Sequence, residues 1–201
     1  MLILLRHGQT TSNIDHKLDT LLPGAELTDL GRRQAREAGE EILSAYDVDR
    51  VITSEALRAR QTGAEAFGTA FGPIPAVPGL QEIHAGRWEM MNTREAHEAY
   101  LGAFRGFYRR DAASLIDGGD SLDTFLTRYR EGLEPWIDPD RTTVVVSHGG
   151  AIRAYAANAA RVDPGFAEAS YLPNCSYVVL DPVGEFGSWR VEKWAQYPLP
   201  E

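Results

Sequence analysis

With 201 residues, 43% of them apolar and 24% charged, the chain has the length of one domain and is too apolar to be disordered. A chain of that length buries roughly 70% of its unfolded surface, so its core needs neither disulfide nor metal. The net charge of −9, with no basic run, argues against coating nucleic acid or an anionic membrane as the main task.

Residues 1–5 are an apolar run that predicts a strand buried on both faces. Thr28 is placed to N-cap a helix, with Leu30, Ala35, Ala38 and Ile42 at helical spacing behind it. Val51-Ile52-Thr53 is a short β-rich run, and residues 55–67 are good helix formers, stopped by Gly72-Pro73-Ile74-Pro75. Residues 79–121 are the most irregular and predict an excursion from the sheet near the pocket mouth, with a polar, aromatic-rich helix over 93–110. The next helix carries Leu122, Phe125, Leu126, Tyr129, Leu133, Trp136 and Ile137 on one face, which predicts core. Residues 142–146 are the clearest buried strand and 151–161 the helix that follows. Residues 176–180 and 189–194, with Gly184 and Gly187 between them, predict a hairpin.

Strands alternating with helices imply an α/β fold, a three-layer α/β/α arrangement around a mostly parallel central sheet, in a single domain over residues 1–201. The single cysteine, Cys175, cannot form an internal disulfide. The run at residues 2–5 is too short for a signal-peptide core, and no stretch reaches the roughly 18 apolar residues of a membrane span. The expectation is a soluble, cytoplasmic protein with no nucleic-acid or membrane partner.

Two segments carry the chemistry. Arg6-His7-Gly8 follows the first predicted strand, and Ser147-His148-Gly149 follows the clearest one. In open α/β sheets ligands bind at the carboxyl ends of strands. A histidine there, with one neutral nitrogen aimed outward, can act as a nucleophile; a lone one is better explained as a strand-end cap. Two strands that each end in His-Gly make coincidence the poorer explanation. His148, at a helix start, lies beside free N–H groups, a natural anion site. Gly8 is expected to let a ligand approach the backbone closely. A metal is the competing reading, but His7, His16, His84, His97 and His148 show no pair at ligand spacing, so none is expected. Arg58 lies one turn into the helix after Ser54, while Arg60 faces elsewhere. Glu82 and Glu89, in the irregular segment, are candidate acids. Taken singly, Arg58 and both glutamates read as solvated charge.

Together, Arg6-His7-Gly8 with Asn13 downstream, Ser54 to Thr62, Glu82 with Gly86 and Trp88, Gly119-Asp120-Ser121, Ser147-His148-Gly149 and Asn174-Cys175-Ser176 resemble the histidine phosphatase superfamily. Its phosphatase and phosphoglycerate-mutase branches share one fold. The likeness covers nearly the whole chain, and the order of its elements is far more specific than the Arg-His-Gly triplet. It implies that His7 is the nucleophile that becomes phosphohistidine. It implies that Arg6, Arg58 and His148 clamp the phosphoryl oxygens, with hydrogen bonds from Asn13 and the backbone of Gly149. Glu82 would donate the proton to the leaving oxygen and then serve as base for water. No metal and no cofactor is implied. The chain departs from the family pattern at Ala56, often leucine, at Met90, often glycine, and at Asp120, often glutamate. None of these is a catalytic position, and they bear on the pocket wall rather than the chemistry.

A phosphate monoester dianion repels nucleophiles and leaves a poor alkoxide. Two guanidiniums supply, in place of a magnesium ion, the positive charge that the transition state needs. The same charge biases His7 towards its neutral, attacking form. The second imidazole faces the same oxygens, with its charge state set between the arginines, which lower its pKa, and the bound phosphate, which raises it. A local arginine pocket outweighs distant surface charge where the Debye length is about 8 Å, so the net charge of −9 does not oppose an anionic substrate.

The favoured activity is a metal-independent phosphomonoester hydrolase acting on a small phosphorylated molecule, as a monomer or homodimer. The alternative is a cofactor-dependent phosphoglycerate mutase-type phosphotransferase, in which a second substrate hydroxyl replaces water. Such mutases look longer, and the tail after Trp194 is short for a lid. A non-catalytic phospho-ligand or protein-binding module on the same fold would need neither His7 nor Glu82. Arg87, Arg94, Arg105, Arg109 and Arg110 either bind a second acidic group or form the solvated face of a packed helix. Arg153 is expected to support the site or form a salt bridge, and Cys175 to pack.

Overall fold

Along the first strand, β1 (Leu2–Arg6), side chains alternate between two separate cores. Leu2 and Leu4 pack with aromatic residues of one layer, and Ile3 and Leu5 with the other; all four are no more than 1% exposed. A strand buried on both faces lies inside a three-layer stack, which is why its sequence reads as an unbroken apolar run.

In the computed structural model, which describes residues 1–200, the other strands are β2 (Arg50–Ser54), β3 (Ala76–Val77), β4 (Thr143–Ser147), β5 (Tyr177–Asp181) and β6 (Arg190–Trp194). They form one six-stranded mixed sheet in the order β3-β2-β4-β1-β5-β6. β3, β2, β4 and β1 are parallel, while β5 and β6 are antiparallel, β5 to β1 and β6 to β5. The expected α/β fold with a mostly parallel sheet is what forms, with the predicted hairpin as its antiparallel edge.

The helices are α1 (Thr11–Ile14), α2 (Asp29–Ala45), α3 (Leu57–Phe71), α4 (Arg94–Tyr108), α5 (Leu122–Leu133), α6 (Gly149–Ala159) and α7 (Pro164–Ala169). Ala38 and Ile42 of α2, with Ala59 and Phe67 of α3, cover one sheet face. Phe104 of α4, Phe125 and Tyr129 of α5, and Ile152 and Tyr155 of α6 cover the other. Thr28 caps α2 as the sequence predicts, its side chain accepting the Gly31 N–H at 3.0 Å. Among the described residues no helix is long and apolar enough to cross a membrane.

Several details correct the sequence reading. β1 runs one residue further, through Arg6, and α6 begins at Gly149 rather than 151. The apolar face predicted to end at Ile137 is not one helix. α5 stops at Leu133, and Glu134–Trp136 is a 3₁₀ turn with Pro135 in its first turn. Proline has no N–H to continue the helical ladder. Trp136 is therefore only partly buried, against the edge of the core rather than in it. The side of Gly8 that a Cβ would occupy faces Gly31, and Gly8 does not line the cleft. A Cβ there would stand 2.4 Å from Gly31 O, so it is the N-terminal turn of α2 that approaches it.

Candidate active site

Three parallel strands bring the predicted residues to one edge of the sheet. β1 ends in Arg6 and delivers His7, β4 delivers His148 as the N-cap of α6, and β2 leads through Ser54 into α3 with Arg58 in its first turn. β4 lies between β1 and β2, so the three ends are neighbours. All five side chains are buried, Arg58 at 3% and His148 at 0% exposure. Arg60, two positions on, points to solvent, as its helical spacing requires.

The Arg58 Nε–H is directed at two imidazole nitrogens, His7 Nε2 at 3.2 Å and His148 Nδ1 at 3.3 Å. A guanidinium N–H only donates, so both of those nitrogens carry lone pairs. The second nitrogen of each ring then holds its proton: His7 Nδ1 donates to Gly8 O at 2.7 Å and His148 Nε2 to Ser54 Oγ at 2.9 Å. Both imidazoles are pushed well below the ordinary histidine range, first by burial and then by the charge of Arg58. His7 therefore presents a neutral ring with its Nε2 lone pair facing the arginine.

Arg6 is held from the far side. Its Nη1 donates to Leu172 O at 2.6 Å and to Tyr171 Oη at 2.7 Å, while its buried Nε has no protein partner. Asn13 is oriented by its oxygen, which accepts from Thr10 N at 3.1 Å and Asn174 Nδ2 at 3.2 Å. Its Nδ2 end remains the donor open to a ligand. Asn174 also donates to His7 O at 3.0 Å, which gives that member of the Asn-Cys-Ser element a mechanical role. Gly149 opens α6 against Arg6, with its N–H in the first turn.

Glu82 reaches the same place from the excursion. Its Oε1 accepts the N–H groups of Ile83 at 2.9 Å and Ala151 at 2.7 Å, and its Oε2 accepts that of Gly150 at 3.0 Å. The carboxylate thus docks on the first turn of α6. Arg128 fastens the segment below it, donating to Gln81 O at 2.9 Å, Glu82 O at 2.8 Å and Asp120 Oδ2 at 2.6 Å. Asp120 of the Gly-Asp-Ser element is in this way a support for the segment that carries Glu82. Glu89, the other candidate acid, is committed elsewhere: it accepts from Thr20 N at 2.8 Å, Leu21 N at 3.1 Å and the Thr20 hydroxyl.

Arg6, His7, Asn13, Arg58 and Glu82 open into a cleft that is also lined by Lys17, Asp19, His97, Tyr100, Leu101 and Tyr171, while the fully buried His148 is not part of its wall. Among the described residues, Arg6, Lys17 and Arg58 are its only arginine or lysine side chains. The excursion arginines do not reach it. Arg87 pairs with Asp117, Arg94 with Glu98 and Arg105 with Glu168, and Arg109 and Arg110 are exposed. Among the described residues Arg153 has no salt-bridge partner; it donates to Ala167 O and Glu168 O and lies over the Tyr108 ring. Burial pushes the Cys175 thiol up to about 12, in keeping with a packing role. Among the described residues no three His, Cys, Asp or Glu side chains are grouped as metal ligands would be.

Sequence reasoning missed Asp19, Lys17, Tyr171 and the use of Ser54. Their partners lie far along the chain or arrive through loops, so no local pattern marks them.

The fold and paired imidazoles define a class of protein. The chain belongs to the histidine phosphatase superfamily (branch 1), whose profile matches residues 2–196. It is similar to the glucosyl-3-phosphoglycerate phosphatase of Mycolicibacterium vanbaalenii, 36% identical over 166 residues, which cover 78% of this chain and 72% of that protein. It is also similar to the 2,3-bisphosphoglycerate-dependent phosphoglycerate mutase of Cytophaga hutchinsonii, 29% identical over 170 residues, 82% of this chain and 79% of that one. The solved structure of a mycobacterial glucosyl-3-phosphoglycerate phosphatase in complex with VO3 superposes with a TM-score of 0.76 at 30% identity, covering 96% of this chain and 98% of that one.

Proposed function

We propose that this chain is a phosphomonoester hydrolase that works through a phosphohistidine on His7. The observation that carries the reading is the Arg58 Nε–H aimed at the lone pairs of both His7 and His148. It defines a spot where a phosphoryl group meets a nucleophile and a cation at once. Relatives named as phosphatases support hydrolysis.

In the first step His7 Nε2 attacks phosphorus, the N–P bond forms and the ester P–O bond breaks. Arg6, Arg58, Asn13 Nδ2 and the Gly149 N–H receive the phosphoryl oxygens, where charge collects in the transition state, and His148 joins them once its Nδ1 takes up a proton as the dianion binds. The leaving alkoxide takes a proton from Glu82. Of its two oxygens, Oε2 has one N–H partner and Oε1 has two, so Oε2 has the lone pair free to carry that proton. In the second step Glu82 takes a proton from water, the water oxygen bonds to phosphorus, and the N–P bond breaks to release inorganic phosphate and neutral His7.

The relatives' names include phosphoglycerate esters. Lys17, the third cation of the cleft, has among the described residues only the exposed Asp15 carboxylate at 3.0 Å as its salt-bridge partner, and it suits a leaving group that carries a carboxylate. Phosphate release from p-nitrophenyl phosphate by the wild type and His7→Ala, with trapping of an acid-labile, base-stable phosphoenzyme, tests the reaction. Equal rates in the two proteins would overturn it. Transfer to a second phosphoglycerate hydroxyl without phosphate release would assign the chain to the mutase reaction instead.

A further inference from the structure

Arg58 brings a full charge into a closed space, and a single loop holds it from behind. Its Nη2 donates to Asp19 O at 2.9 Å, and its Nη1 lies 3.7 Å from Asp19 Oδ1. The two side chains are 3% and 7% exposed. Burial lowers the pKa of Arg58, and the Asp19 carboxylate is the strongest influence in the other direction.

The loop is built for this contact. Asp19 Oδ2 accepts the Ala25 N–H at 2.9 Å, so the carboxylate spans its own loop. Pro23 O accepts the Leu57 N–H at 2.8 Å, which ties the loop to the helix turn that carries Arg58. Gly24 completes the enclosure at φ +71°, and a Cβ there would stand 2.1 Å from Arg58 Nη1. Only glycine fits a left-handed position pressed against that nitrogen. Nη2 is hydrogen-bonded to the loop, Nη1 has no hydrogen-bond partner among the described residues and is held by the Asp19 charge and the Gly24 wall, and Nε is the edge of the guanidinium facing His7 and His148.

We propose that Asp19, seated by the Gly24 turn, is the positioning residue for Arg58. It rests on the phosphoryl-transfer reading of the site. The Asp19 carbonyl bonds Nη2 and the carboxylate attracts Nη1 across 3.7 Å, so the Nε edge stays aimed at the place where the phosphoryl group sits. An arginine free to swing would lose that aim, and displacements of about 1 Å cost about 10²-fold in rate. Asp19 does not touch substrate in this scheme and acts wholly through Arg58.

A double-mutant cycle tests this. Asp19→Asn keeps the size of the side chain but removes its charge. It is expected to lower kcat/KM for p-nitrophenyl phosphate at least tenfold and to weaken the binding of inorganic phosphate by a similar factor. In an Arg58→Ala background the same substitution is expected to change both by less than twofold, because nothing remains to be positioned. Gly24→Ala, which leaves Asp19 intact and displaces Nη1, follows the same pattern and carries the cycle should Asp19→Asn fail to fold. Equal losses in the two backgrounds would mark a general structural effect and overturn the assignment, as would full activity in both single variants. Calorimetric phosphate binding reads the cycle independently of turnover. Absence of turnover in the wild type therefore counts against the hydrolase reading, and the binding cycle still decides the role of Asp19.

Discussion

The rings of His7 and His148 stand 5.2 Å apart at 61°, and each turns an unprotonated nitrogen to the same arginine. Protonating either ring would set cation against cation in a buried site. Both pKa values are depressed from 6.5, first by burial and then by Arg58. The unfolded chain therefore binds protons below about pH 6.5 that the folded chain refuses. The stability contribution is complete above the unfolded value and is lost as pH falls below it, towards the folded values. Two such groups give a slope of up to about 2.7 kcal/mol per pH unit in that window. Urea unfolding between pH 5 and 7.5 should show it, and His148→Asn should reduce it by about half. A flat profile would mean that the histidines titrate normally.

The Gly8–Gly31 contact yields a stability prediction distinct from the catalytic ones. A Cβ on Gly8 would stand 2.4 Å from Gly31 O and 2.9 Å from Gly31 C, both backbone atoms that cannot rotate away. Gly8→Ala must push α2 off the end of β1, at a cost of about 1–3 kcal/mol by analogy with overpacked cores. Thermal unfolding measures this directly. An unchanged midpoint would show that α2 moves freely at this point.

Much of this architecture was legible because burial leaves a periodic trace. β1 and β4 are apolar runs because both of their faces are covered, and the two His-Gly pairs mark where they end. Arg58 and Arg60 sort into buried and exposed by helical geometry alone. The Asp19–Arg58 pair left no such trace, since it joins residues 39 apart through an irregular loop. Tyr171, 165 positions from Arg6, is equally silent. The excursion arginines took the solvated one of their two readings for a physical reason: each of Arg87, Arg94 and Arg105 finds a carboxylate outside the cleft, and two of those carboxylates are distant in sequence. Pro135 was visible and does break the apolar face that spacing alone had extended to Ile137.

Glu82→Gln separates proton donation from mere occupancy. The amide oxygen can still accept one of the α6 N–H groups, so the carboxylate's docking is partly kept. The proton for the leaving group is lost. The rate on an alkyl phosphate, which leaves as a basic alkoxide, should fall by about 10²–10⁴. The rate on p-nitrophenyl phosphate, whose leaving group needs no proton, should fall far less. Comparable losses on both substrates would remove Glu82 from the role of acid and leave it as a support for α6.

Lys17 gives the sharpest test of substrate class. 3-Phosphoglycerate and glycerol 3-phosphate differ at one carbon, a carboxylate in one and a hydroxymethyl group in the other. A carboxylate arriving beside Lys17 has only the exposed Asp15 to displace, and exposed pairs of that kind are worth about 0–1 kcal/mol. The wild type should therefore favour 3-phosphoglycerate in kcat/KM by about tenfold, the equivalent of about 1.4 kcal/mol. Lys17→Met should bring the ratio of the two substrates close to one, and Lys17→Arg should largely keep it, since the charge remains on a long side chain. The ratio is the quantity to compare, because a general disturbance of the cleft lowers both rates together. A ratio near one in the wild type, or one that survives in Lys17→Met, would show that the leaving group is recognised by its hydroxyls or its shape and not by charge.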